Sequence, residues 1–138
     1  MRVALIYVPS KDPAAIAVIA KAMARSLESA GHYVDISEAR ADESPRLTGY
    51  DYVILGTESS TAFGKIPDRV SRFLSQAGML TGKRSMAFLR KSGLRPETSL
   101  RRLMKAMEAE GMLVNCAEIV SNEASAAEAA RNAPVERR

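Results

Sequence analysis

The chain has 138 residues, 46% of them hydrophobic, with 20 Lys and Arg against 16 Asp and Glu. That length suits one domain able to bury roughly two thirds of its unfolded surface, and no apolar run approaches the ~18–20 residues of a membrane span. One cysteine, Cys116, excludes an internal disulfide and a multi-cysteine metal site, and a net charge of +4 is too modest to name an anionic partner.

In chain order, Val3-Ala4-Leu5-Ile6-Tyr7-Val8 gives a first strand over Arg2–Val8. It is too short, and too soon followed by charge, to be a secretory h-region, so a cytoplasmic protein is expected. In the loop Pro9–Ala14, Asp12 reads as a helix N-cap and Pro13 as the first helical position. Ile16, Ile19, Ala20, Met23 and Leu27 recur at helical spacing, and Gly31 stands where a terminating glycine belongs. A second strand is predicted over Tyr33–Ser37. The stretch 38–49 is ambiguous: Ser44-Pro45-Arg46-Leu47 could start a short helix, but 40–43 is mostly polar.

The third strand, Tyr52–Gly56, contains the unbroken apolar run Val53-Ile54-Leu55, expected where helices cover both faces of a parallel sheet. A loop rich in hydroxyls follows, from Thr57 to Pro67, and then a helical pattern at Val70, Phe73, Leu74 and Ala77. A fourth strand covers Arg84–Leu89. Leu100, Leu103, Met104 and Met107 form the next helical stripe, closed by Gly111, with the methionines read as core filler. Leu113–Val120 is the fifth strand and the alanine-rich Glu123–Asn132 the last helix. The domain is expected to span 1–133, with 134–138 a loose tail.

Strands alternating with about five helices predict a three-layer, doubly wound α/β sandwich with right-handed crossovers. A strong strand at the outset suits a central position in a five-stranded parallel sheet of order 2-1-3-4-5. Leu5, Ile19, Ile54, Phe88, Leu103 and Met107 are the expected core. Open sheets of this kind bind ligands beyond the carboxyl ends of their strands. That places the hydroxyl loop in the candidate site, where its one aromatic, Phe63, would suit a planar ligand with polar edges.

Other groups carry less. Ser59 or Ser60 with Asp51 and His32 could be imagined as a hydrolytic constellation, but His32 has no positional reason to meet those serines and reads as a surface histidine. Cys116, in a strand pattern, reads as buried and inert, and no catalytic residue is assigned. Glu58 could serve as an acid/base or bond a ligand, or be a solvated loop carboxylate. The basic cluster Arg84, Arg90, Lys91, Arg95, Arg101, Arg102 and Lys105 reads as a solvated helix face. No nucleic-acid motif accompanies it and aromatics are scarce, so nucleic acid is not an expected partner.

Taken together, Val3–Gly31, the run Asp51-Tyr52-Val53-Ile54-Leu55-Gly56-Thr57, the segment Phe63-Gly64-Lys65-Ile66-Pro67 with Phe73-Leu74, and Arg84–Leu89 with Leu103 and Glu110-Gly111-Met112 resemble the flavodoxin family in order and spacing. The resemblance covers most of the chain. It implies a flavodoxin-like fold and an FMN site built from three loops, Pro9–Ala14, Thr57–Phe63 and Arg90–Leu94. Carried over by position, Ser10 and Lys11 would face the phosphate. Thr57, Glu58, Ser59, Ser60, Thr61 and Ala62 would meet the ring edge and Phe63 a ring face. Arg90, Lys91, Ser92 and Gly93 would lie at the pyrimidine edge, with Arg90 and Lys91 favouring the anionic reduced flavin. Electron transfer or flavin-dependent redox chemistry with a protein partner would follow. The first loop departs from the family pattern: it has no glycine, one hydroxyl, and Asp12 where a phosphate would sit. A flavodoxin-like domain that has lost FMN and serves as a binding or regulatory module is the alternative.

Overall fold

Five parallel strands form one sheet in the order β2-β1-β3-β4-β5 in the computed structural model, which describes residues 1–39, 46–78 and 80–136. The elements alternate: β1 (Arg2–Val8), α1 (Pro13–Ser29), β2 (Tyr33–Glu38), β3 (Tyr52–Glu58), α2 (Asp68–Gln76), β4 (Arg84–Arg90), α3 (Pro96–Ala109), β5 (Leu113–Val120) and α4 (Glu123–Asn132). β1 sits between β2 and β3, with Leu5 opposite both Ile36 and Ile54. Every residue of β3 is buried, as befits a central strand covered on both faces.

Side chains alternate across the sheet with period two and divide the core in two. Val3, Leu5, Tyr52, Ile54, Met86 and Phe88 face α1 and α4, joining Ile16, Ile19, Met23 and Leu27. Ala4, Ile6, Val53, Leu55 and Ala87 face α2 and α3, joining Phe73, Leu74, Leu103 and Met107. All six expected core residues are buried. On the first face α1 and α4 pack against each other, with the Ser26 hydroxyl donating to the Ala127 carbonyl at 2.9 Å. Gly56 is needed for close approach: a Cβ there would overlap the Phe88 ring, so β3 and β4 interlock as a glycine beneath an aromatic.

The structure departs from the sequence reading at the strand ends and after α4. β3 and β4 continue to Glu58 and Arg90, so Thr57, Glu58 and Arg90 belong to strands rather than loops. Four helices occur among the described residues. Ser44 and Pro45, read as a possible helix start, lie outside the described residues, while Arg46 makes an isolated parallel bridge to Gly78. The segment after α4 is not loose as far as Glu136: Val135 is 2% exposed and joins the α1/α4 core, because an apolar side chain beside an open hydrophobic edge gains from covering it. No helix among the described residues is long and apolar enough to cross a membrane.

Candidate functional site

The carboxyl ends of β1, β3 and β4 enclose a crevice of about 300 Å³, at the lower limit of ordinary ligand pockets. Of the thirteen residues expected there, Ser10, Lys11, Glu58, Ser59, Ser60, Thr61, Ala62, Arg90, Ser92 and Gly93 line it, together with Asp12. Thr57, Phe63 and Lys91 do not.

Glu58 organises the crevice. It ends β3 directly opposite Arg90 at the end of β4, a register that brings the two long side chains together. Arg90 donates to Glu58 Oε1 from Nε at 2.7 Å and from Nη2 at 2.6 Å. The Ser10 backbone N–H donates to Oε2 at 2.8 Å. The carboxylate is thus not solvated: Glu58 is 2% exposed, and both its oxygens are held by charge-assisted bonds. The expectation of a free acid/base or ring-bonding group at Glu58 is not met, nor that of an Arg90 guanidinium free to act on a ligand.

Most of the loop hydroxyls build the loop itself. The buried Thr57 Oγ1 donates to the Val8 carbonyl at 2.8 Å, tying β3 to β1. Ser59 and Ser99 share a hydroxyl–hydroxyl bond of 2.6 Å, and Ser99 also bonds the Gly64 carbonyl at 2.9 Å. Ser60 binds the Lys65 carbonyl through both its N–H and its hydroxyl, and Thr61 Oγ1 accepts from the Phe63 and Lys65 amides. Ser and Thr are favoured in such turns because their side chains satisfy nearby backbone groups. Only Ser92 Oγ is a buried crevice hydroxyl without a partner among the described residues. Beside it, Gly93 adopts φ 72°, a left-handed conformation that glycine tolerates.

Phe63 is 75% exposed and borders a neighbouring depression with Lys65, Ile66 and Arg102; the expected stacking ring is therefore absent from the crevice wall. Lys91 is exposed, its backbone N–H bonded to the Val120 carbonyl at 2.8 Å.

FMN, implied by this type of fold, would need its phosphate wrapped by free N–H donors at the start of α1. The Ser10 N–H is taken by Glu58, Pro13 has none, and the Ala14 N–H is taken by the Asp12 cap at 3.1 Å. Two carboxylates, Glu58 and Asp12, face the place, with Lys11 as the cation not already bound to Glu58. These residues do not fit a phosphate dianion.

At the other end of the sheet, His32 is not on the surface: its side chain is 8% exposed. It precedes β2, whereas Ser59 and Ser60 follow β3, so parallel strands hold them at opposite poles and the hydrolytic constellation does not form. Cys116 is half-buried rather than fully buried. Burial, with a smaller contribution from Glu118, pushes its thiol pKa above the ordinary value, which leaves it protonated and unreactive at neutral pH.

Oxidised Flavodoxin 2 from Bacillus cereus is similar in structure, with a TM-score of 0.70 and 18% identity over 93% of this chain and 92% of the flavodoxin. A short-chain flavodoxin associated with a bacterial microcompartment gives 0.71 and 14%, over 94% and 95%. Two-electron reduced Megasphaera elsdenii flavodoxin gives 0.63 and 17%, over 94% and 99%. No family model matches the sequence, and no curated protein does. The chain has the flavodoxin-like fold.

Proposed function

We propose that the protein is a flavodoxin-like binding or regulatory module that works through the carboxyl-end crevice without FMN as a resident cofactor. The observation that carries this reading is the Ser10 N–H···Glu58 bond of 2.8 Å, backed by the Arg90–Glu58 pair. A donor and a cation that an incoming anion would need are satisfied by a carboxylate of the chain itself. Displacing it would strand a buried charge, which is costly. Titration with FMN, followed by flavin fluorescence, tests the reading. The expected result is no saturable quenching up to about a millimolar, where binding is worth only roughly −4 kcal/mol. Protein that purifies yellow, or saturates in the micromolar range, overturns it.

The second reading, an FMN-binding electron-transfer protein with a redox partner, is favoured by the unpartnered Ser92 Oγ beside Gly93, across from Ser59 and Thr61. There a polar ring edge could find a hydrogen bond. FMN would supply the redox chemistry, the protein its binding and tuning. Replacing Asp12 with Gly separates the two readings. It removes a competing charge and frees the Ala14 N–H, so it tightens FMN under the second and changes nothing under the first.

A further inference from the structure

Phe63 and Leu94 are 75% and 81% exposed, more than any other large apolar side chain of the described residues. Such side chains scattered singly are ordinary, but these two flank one seam. The Ser99 hydroxyl donates to the Gly64 carbonyl at 2.9 Å, and a Cβ on Gly64 would lie 3.2 Å from the Arg95 carbonyl oxygen. Phe63 precedes Gly64 and Leu94 precedes Arg95, so the contact between the two loops holds both side chains at the same rim. Phe63 is also fixed through its own loop. Thr61 Oγ1 accepts from the Phe63 and Lys65 amides, and Ser60 is bonded twice to the Lys65 carbonyl. A large ring presented to water on a backbone held this way is pre-organised for a contact outside the chain.

Beside the ring lies a depression of about 620 Å³, large enough to seat a side chain of another molecule. Phe63, Ile66 and Pro67 give it apolar walls, and Lys65, Arg102 and Asp68 border it. Lys65 and Arg102 are exposed, as are Lys91 and Arg95 before and after Leu94. None of these four cations is paired with a carboxylate among the described residues. The acidic groups on the same elements are Asp68 and Glu97, each in the first turn of a helix, where the positive end of the helix dipole offsets part of their charge. The rim therefore carries uncompensated positive charge around an apolar centre. That is the complement of an acidic surface with an apolar projection.

We propose that this surface docks an acidic segment of a partner protein. One large apolar side chain of the segment enters the depression against Phe63, Ile66 and Pro67. Asp or Glu residues flanking it meet Lys65 and Arg102, and Leu94 and Arg95, across the seam, take up its continuation. A single-stranded nucleic acid fits less well, because it needs a run of stacking aromatics and Phe63 is the one aromatic lining the depression. The depression shares Thr61 alone with the carboxyl-end crevice, so the proposal goes beyond the reading of that crevice and holds whatever occupies it.

The probe is a fluorescently labelled peptide with one central phenylalanine flanked on both sides by Asp and Glu, read by anisotropy. It should bind saturably below about a millimolar and weaken as added salt screens the rim. The same peptide with serine at its centre, or with Asn and Gln in place of the acids, should bind at least about fivefold more weakly. Phe63→Ala and Arg102→Glu, both at exposed positions, should each weaken the parent peptide by about fivefold or more, the usual loss at a central interface contact. Should Arg102→Glu not fold, Lys65→Glu takes its place. Lys21→Glu makes the same change of charge on an exposed position of α1, across the sheet from α3, and should alter binding by less than about twofold. No saturable binding up to about a millimolar, an equal loss in Lys21→Glu and Arg102→Glu, or binding unchanged by Phe63→Ala overturns the proposal. So does tighter binding of a labelled oligothymidylate that Phe63→Ala abolishes, which would assign the surface to single-stranded nucleic acid.

Discussion

Glu58 shows how one residue redirects a site. Buried and bonded to Arg90 and Ser10, it fixes the spacing of three loops and neutralises the strongest cation of the crevice. Glu58→Gln keeps the shape and loses the charge. Arg90 is a quarter exposed and can partly rehydrate, so the expected cost is about 1–3 kcal/mol, below that of breaking a fully buried pair; the urea midpoint measures it. The sequence placed Glu58 in the right region but not in the right role. Its partner lies 32 positions away, and only the β3–β4 register joins them. The hydroxyls misled for a related reason. Ser59, Ser60 and Thr61 look like ligand donors in a linear reading, yet they bond to residues of their own loop and to Ser99. Phe63→Ala accordingly should leave stability and any crevice ligand unaffected within about 0.5 kcal/mol, as exposed substitutions do; a larger shift in melting temperature would show that the ring packs inward.

At the level of elements, the strands and helices were almost wholly legible, because a buried parallel strand and an amphipathic helix each write their period into the chain. Strand ends were less so: Thr57, Glu58 and Arg90 are polar, and only pairing with a neighbour shows that the ladder continues through them. Ile54, fully buried in β3, should cost about 2–5 kcal/mol when cut to Ala. Gly56 holds information that no periodicity carries. Gly56→Ala drives a methyl into the Phe88 ring and should destabilise by about 1–3 kcal/mol through overpacking. In a Phe88→Leu background the penalty should shrink, since neighbouring sites couple; a penalty that is the same in both backgrounds would rule out this contact as its cause. At α4, Asn122 and Ser125 form a reciprocal capping box, and Asn122→Ala should cost about 1 kcal/mol.

Across the whole molecule, the topology was readable from the order of elements, whereas a cavity at the amino ends of the strands was not. It is bordered by the segment after α4, which buries Val135 in the α1/α4 core and brings Glu136 to His32, and a short proline-containing segment gives no periodic signal. Stability should also carry an alkaline limit. A hydrogen bond to Asp35, then burial, raises the Tyr50 pKa, and burial foremost raises that of Tyr52. Folding therefore favours the protonated phenols. Their contribution is fully present below the unfolded tyrosine value of about 10 and is lost as pH climbs from there through the raised folded values. Denaturant midpoints should hold steady up to about pH 9 and fall above it. Tyr52→Phe, lower in stability at neutral pH by about 1 kcal/mol, should lose less on that climb.

The pairing of α1 with α4 also bears on how the chain acquires its fold during synthesis. β1 can gain β2 early, but its other neighbour, β3, must wait until Glu58 has left the ribosome. The apolar stripe of α1 then waits further, because the helix that covers part of it spans residues 123–132. Until that helix is made, this part of the stripe is open to solvent and to chaperones, and a stall before residue 123 leaves a nascent domain with one layer incomplete and prone to aggregation.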